Sequence, residues 1–272
     1  MSYKNTAIKA AREAGAILLK LSKKRAIHSM KGSHDVCAEA DLQAERGIID
    51  SIKRSDMELP KDRGHYCTLY LVRHGETEMN VSGLFQGHVD SPLTENGIQQ
   101  ARQLRDVLRP IHFDAVFTSD LARAYRTAEI AATERELAIE TSYLLRELYG
   151  GEYEGKPFDL YLKEQRRLLA KLEKATAEEL TNVRVGSGET VEELVIRGFT
   201  ILREIAVGYP GKNVLVVSHG GMIRQLLIHL GWATNTSLPP KSFSNCAYAK
   251  LICDGIDFFV EEVVGAQLRT EN

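Results

Sequence analysis

"LYLVRHGETEMN", residues 69–80, decides how the rest of the chain is read. Leu69-Tyr70-Leu71-Val72 is a short apolar run of the kind that forms a strand buried on both faces. It stops within one residue at a cation, an imidazole and a glycine: Arg73, His74 and Gly75. A second stretch repeats the pattern. In "NVLVVSHGG", residues 213–221, an apolar strand again ends in His-Gly, at His219 and Gly220.

Between and around these two stretches the rhythm is strand, loop, helix. Leu93–Leu108 is helix-like, with Thr94 placed to cap it and Pro110 to stop it. "DAVFT" (114–118) reads as a buried strand, and the alanine-rich 120–134 as a helix. Residues 139–144 are strand-like. Residues 158–177, 190–207 and 222–230 carry helical periodicity. "AYAKLICDGIDFFVEEVV" (247–264) reads as a hairpin turning at Asp254-Gly255. The expected class is α/β, a mostly parallel central sheet flanked by helices with an antiparallel edge. The N-terminal part is set apart. It shows two amphipathic helical patterns, over 5–25 and about 40–52, then a polar linker, so domains are expected at 1–64 (a two-helix appendage) and 65–272.

Ligands of open α/β sheets bind at the carboxyl ends of the strands. If the two His-terminated strands run parallel, His74 and His219 meet on one edge across 219 − 74 = 145 residues of sequence. Glycine after each is expected to let an anion approach the following backbone N–H groups. Arg123, in "TSDLARAYRTAE", follows the 114–118 strand and so starts a helix at that edge, where a guanidinium can grip phosphate bidentately. Glu147, in "LLRELYGGEYEG", supplies a carboxyl after the next strand and is a candidate proton donor.

Together these stretches, with "FQGHVDSPLTENG" (85–97) and "GSGET" (186–190), resemble the histidine phosphatase superfamily, the phosphoglycerate mutase-like enzymes, over about residues 67–265. The resemblance implies a catalytic set of Arg73, His74, Arg123, Glu147 and His219. His74 would be the nucleophile that becomes a phosphohistidine, Arg73, Arg123 and His219 would hold the phosphoryl oxygens, and Glu147 would protonate the leaving oxygen. Asn80, Gln86, Gly87 and Gly220 would line the substrate pocket. Two arginines supply the positive charge, so neither a divalent metal nor a cofactor is expected.

The implied activity is hydrolysis of a small phosphorylated metabolite, a phosphosugar or similar phosphomonoester. The cofactor-dependent mutases of the superfamily carry Glu-Arg-His-Tyr-Gly at the acid and a long insertion after it. This chain has Glu147-Leu148-Tyr149-Gly150-Gly151 and only 219 − 147 = 72 residues before His219. Phosphoryl transfer of the mutase type remains the alternative, and a non-catalytic phosphate-binding module a more distant one. Lys156, Arg224 and Lys241 are candidates to meet a second anionic group.

The net charge of −2 argues against binding nucleic acid through bulk positive charge. No apolar run reaches the length of a membrane span. Four cysteines without metal-type spacing read as free thiols in a reducing compartment. A cytoplasmic location is expected. The first 34 residues hold eight Lys or Arg against Glu13 alone, a composition also found in transit peptides, so organellar import stays open. The expected partner is the small substrate, and a homodimer stays open. Finally, "AIKAAREAGAILLK" (7–20) and "KGSHDVCAEADLQAERGIIDSI" (31–52) resemble the opening of the inositol monophosphatase family, without that family's metal-binding acid cluster downstream. A non-catalytic appendage is expected.

Overall fold

The structure, a computed structural model, describes residues 59–60, 64–170 and 181–269. The expected two-helix appendage and its inositol monophosphatase resemblance lie outside these residues, as does the end of the helical pattern at 158–177.

Six strands form one sheet in the order β3-β2-β4-β1-β5-β6. β1 (Cys67–Arg73) and β4 (Asn213–Ser218) are its central pair, flanked by β2 (Ala115–Ser119) and β5 (Phe243–Cys253), with β3 (Ile139–Ser142) and β6 (Phe258–Ala266) at the edges. β1 to β4 are parallel, and β5 and β6 add the antiparallel side as a hairpin. The apolar runs are explained by this placement. Leu69, Leu71, Val72 and all of Val214–Val217 have at most 1% of their surface exposed.

One face of the sheet is covered by α2 (Glu95–Leu108) and α3 (Ala122–Ala132), packing Leu104, Leu108, Ala124 and Ala128 onto Tyr70, Val72, Leu215 and Val217. The other face is covered by α5 (Val191–Gly208) and α6 (Gly220–His229). A short α1 (Glu78–Val81) and α4 (Phe158–Leu169) lie in the loops at the carboxyl edge. Helix starts follow from local chemistry. Thr94 accepts from Gly97 N–H at 3.0 Å, and Thr190 with Glu193 forms a reciprocal capping box.

Two expected boundaries move. The strand read through residue 221 stops at Ser218. His219 is already the N-cap of α6. The strand read to residue 144 ends at Ser142, whose hydroxyl accepts from Leu144 N–H and turns the chain into a 3-10 turn at Tyr143–Leu145. Both changes bring the chain off the sheet at the edge where the candidate residues collect.

Candidate active site

β1 and β4 pair in parallel with Arg73 opposite Ser218, and the ladder runs one bond further, from His74 N–H to the Ser218 carbonyl at 3.0 Å. His74 and His219 therefore leave adjacent strand ends together. Their ring centroids are 5.2 Å apart. His74 Nδ1 lies 2.7 Å from the Gly75 carbonyl, which can only accept, so Nδ1 carries the hydrogen and Nε2 keeps its lone pair. Burial, then the nearby Arg123 and Arg73 guanidiniums, push the His74 pKa well below 6.5. Burial and Arg123 do the same to His219. Both imidazoles are neutral at pH 7.

The cations are fixed from behind. Arg123, at the start of α3, is 1% exposed and donates to the Gly87 carbonyl (2.7 Å), the Val89 carbonyl (2.9 Å) and Asp90 (3.1 Å). Arg73 donates to the Phe243 carbonyl. Each guanidinium keeps a buried Nε without a partner, and neither ring nitrogen of His219 has one. Leaving a buried donor unpaired costs about 1–3 kcal/mol, more when it is charged. Such a cluster at one strand edge has the donor chemistry for an anion.

Glu147 sits across from them. Its carboxylate accepts from Gly221 N–H (2.8 Å), Met222 N–H (3.0 Å) and Leu148 N–H (2.8 Å), so the first turn of α6 holds it. A Cβ at residue 221 would come within 2.4 Å of Glu147 Oε1, which is why the second residue of that helix is glycine.

A cleft of ≈ 370 Å³ is lined by Arg73, His74, Asn80, Gln86, Gly87, Arg123, Glu147 and Gly220. His219 lies behind His74, fully buried, and does not itself line the cleft. Gln86 is 6% exposed with its Oε1 unpaired. Asn80 is tied to the His74 backbone through Asn245, whose Nδ2 donates to Asn80 Oδ1 (3.2 Å) and to the His74 carbonyl (3.1 Å).

The expected reason for the two glycines is corrected by the contacts. Gly75 N–H donates to Thr127 Oγ1 (3.0 Å), and the next N–H, of Glu76, to Gln100 Oε1 (2.9 Å). A Cβ at residue 75 would sit 2.6 Å from the Gly97 carbonyl oxygen, and one at residue 220 would sit 3.0 Å from Arg73 Nε. These glycines admit the site's own parts, the start of α2 and the Arg73 guanidinium.

Of the candidates for a second anion, Arg224 is committed elsewhere. It donates to the Leu238 carbonyl (2.6 Å) and Asn235 (2.8 Å), and burial pushes its pKa down to about 10. Lys156 lies 5.9 Å over the Tyr153 ring, away from the cleft lining. Lys241 does reach the cleft, exposed at its rim, 5.1 Å over the Phe158 ring.

Sequence reasoning missed the residues that hold the site from outside. Arg197, on α5, donates to the carbonyls of Leu144 (2.8 Å), Arg146 (2.6 Å) and Glu147 (2.8 Å) while paired with Glu189 (2.7 Å). His88 Nε2 lies 2.9 Å from the same Glu147 carbonyl. Glu154 accepts from His88 N–H (2.8 Å) and Gly150 N–H (2.9 Å), joining the Gln86-Gly87 loop to the Glu147 loop. Glu189 belongs to the quoted GSGET stretch; Arg197 carries no local signal, being one arginine on an amphipathic helix.

Among the described residues no group of three or more His, Cys, Asp and Glu is gathered for a metal ion, and no helix is long and apolar enough to cross a membrane.

The comparisons with known proteins bear on the same segment. Over 162 residues the chain is 32% identical to the adenosylcobalamin/alpha-ribazole phosphatase of Escherichia coli K12, covering 60% of this chain and 78% of that protein. It is 35% identical over 164 residues to phosphoglycerate mutase-like protein 4 of Arabidopsis thaliana, covering 59% and 70%. The solved structure of Bacillus stearothermophilus YhfR superposes with a TM-score of 0.63 at 31% identity, over 74% of this chain and 97% of that one. The model of the histidine phosphatase superfamily (branch 1) matches residues 69–264, from the strand that presents His74 to the last strand of the sheet, and the chain belongs to that superfamily.

Proposed function

We propose that the chain is a phosphatase that hydrolyses a small phosphomonoester through a phosphohistidine on His74. The observation that carries this reading is a neutral His74, its Nδ1 committed to the Gly75 carbonyl, beside unpaired donors on Arg73 and Arg123. The two arginines take the non-bridging oxygens, whose charge grows in the transition state, while His219, buried and outside the cleft lining, packs its ring against that of the nucleophile. His74 Nε2 attacks phosphorus as the P–O ester bond breaks. The leaving alkoxide takes a proton from Glu147, loaded beforehand from solvent. Water then attacks the phosphohistidine, giving its proton to Glu147, and phosphate leaves with His74 neutral again.

Hydrolysis is preferred to mutase-type transfer because Glu147 is followed by Leu148-Tyr149-Gly150-Gly151 rather than by the Arg-His-Tyr-Gly of the cofactor-dependent mutases. The metal-free charge arrangement and the cytoplasmic expectation go with this reading. The test is His74→Ala, which should abolish turnover, while acid-labile, base-stable phosphate is trapped on the parent protein. Full activity in the variant overturns the mechanism. Bisphosphate-primed conversion of 3-phosphoglycerate to 2-phosphoglycerate, outpacing phosphate release, overturns the choice of hydrolysis.

A further inference from the structure

We propose that Asn245 is a positioning residue of the phosphate site: anchored on the His74 carbonyl, it fixes which end of the Asn80 carboxamide faces the cleft, and so makes Asn80 a donor to the phosphoryl group. This rests on the phosphatase reading of the cleft and adds a residue outside the set expected from the sequence.

A carboxamide has one accepting and one donating end, and half a turn about its last bond exchanges them. Beside an anion the two orientations act oppositely. An amide N–H attracts a phosphoryl oxygen, and a carbonyl oxygen repels it. The partners of Asn80 decide between them. Thr77 N–H can only donate, and it meets the Asn80 side chain at 3.2 Å, so the atom there is Oδ1. Asn80 N–H in turn donates to Thr77 Oγ1 (3.2 Å), the reciprocal cap of α1. Asn245 grips the same oxygen from the other side. The His74 carbonyl can only accept, so the Asn245 atom 3.1 Å from it is Nδ2, and that same Nδ2 lies 3.2 Å from Asn80 Oδ1. Were Asn80 turned over, its own NH2 would meet the Asn245 NH2 and the Thr77 N–H with no acceptor among them. Both carboxamides line the cleft. With Oδ1 held from two sides, Nδ2 is the end that Asn80 offers to a ligand.

Asn245 is itself placed by an irregular stretch of β5. The pairing of β5 with β1 ends at Tyr248 and Val72. Beyond it the register with β6 shifts between Phe243 and Tyr248, and Cys246 adopts φ 55°, a left-handed conformation uncommon for a residue with a side chain. Such strain persists where the surroundings over-determine it, and it collects at functional sites. Here Cys246 N–H donates to the His74 carbonyl (3.4 Å) beside Asn245, and the Phe243 carbonyl accepts from Arg73. The strained stretch therefore holds Arg73 and His74 directly, and Asn80 through Asn245. Asn245 stands 171 residues from His74 in sequence, so no local pattern marks it.

The experiment is a double-mutant cycle on the full chain, read as the calorimetric dissociation constant of inorganic phosphate. Asn245→Leu nearly keeps the side chain's shape and removes the donor without adding charge. Asn80→Ala should weaken phosphate binding about tenfold, the loss of one hydrogen bond to a charged group. Asn245→Leu should do nearly the same, and the double variant should stay within about twofold of Asn80→Ala alone, because Asn245 acts through Asn80. Asn245→Ser leaves one hydroxyl donor. It should lose less, with the same dependence on Asn80, and it carries the test if the leucine variant fails to fold. Effects that multiply to about a hundredfold in the double variant overturn the proposal. So does a lowered melting temperature with phosphate affinity per folded molecule within about twofold of the parent, the outcome of a purely structural role. Phosphate binding needs no turnover, so failure to trap a phosphohistidine on His74 counts against the phosphatase reading alone, and a parent that binds no phosphate overturns both.

Discussion

Replacing Arg197 by methionine removes a charge and five hydrogen bonds while nearly keeping the side chain's length. The lost bonds are two to the Glu189 carboxylate (2.7 and 2.8 Å) and one each to the carbonyls of Leu144, Arg146 and Glu147. Hydrogen bonds to a charged group contribute about 1.5–3 kcal/mol each. The sum is an upper bound, because bonds sharing one guanidinium do not add and water can reach the half-buried Arg146 and Glu147. Glu189 is left with its carboxylate only 13% exposed, so the loss should resemble removal of one partner from a buried pair, about 3–5 kcal/mol. Against a total of about 5–15 kcal/mol the variant still folds. Urea unfolding should show the loss as a lower midpoint with an unchanged slope. Activity should fall unevenly. Arg197 and His88 together hold the Glu147 carbonyl, and a displacement of about 1 Å costs on the order of a hundredfold. The loss should concentrate on alkyl esters, whose leaving oxygen needs a proton, and spare p-nitrophenyl phosphate, whose does not. Arg197→Lys should fall between, since an ammonium cannot fork to several carbonyls. A stability within about 1 kcal/mol of the parent, or an equal loss on both ester classes, would refute the reasoning.

Because His74 and His219 have folded-state pKa values well below 6.5, the unfolded chain binds more protons as pH falls through 6.5, and each histidine then costs about 1.4 kcal/mol of stability per pH unit. Their contribution is fully present above 6.5 and is lost on acidification. Asp257, pushed up to about 6 by burial, acts with the opposite sign, so the difference in slope between the parent and His74→Gln isolates the effect; a parent that gains stability relative to that variant from pH 7.5 to 5.5 contradicts it. The acid limb of kcat/KM should accordingly lie below 6.5, as a pH–rate profile would show. Activity should survive exhaustive chelation, since Arg73 and Arg123 supply the positive charge, and a strict Mg²⁺ requirement would contradict this. A chain starting near Gly64 should keep measurable phosphatase activity if the N-terminal segment is not part of the site; total loss with an intact circular dichroism spectrum would place it in the site.

What the sequence determined by itself was local. An apolar run ending in Arg-His-Gly is a buried strand meeting polar chemistry, because a core cannot hold a cation and an imidazole without partners. Thr94 marks a helix start because a hydroxyl can satisfy an N–H within its own turn. Arg73, His74, Arg123, Glu147 and His219 stood out as candidates because each ends a strand or follows one or its turn, and ordered motifs carry them. The tertiary structure alone decided that β1 and β4 are neighbours in parallel, bringing His74 and His219 to a ring separation of 5.2 Å. It alone decided that Gly75 yields to the Gly97 carbonyl and that Gly221 leaves room for Glu147. It also set Arg197 against three carbonyls fifty or more residues away in sequence. Hydrogen bonds inside one turn depend on residues a few positions apart, which the sequence displays. The partners of Arg197 and of the two glycines depend on which strands pair and which helix faces meet, and those are chosen by burial of the whole apolar surface at once.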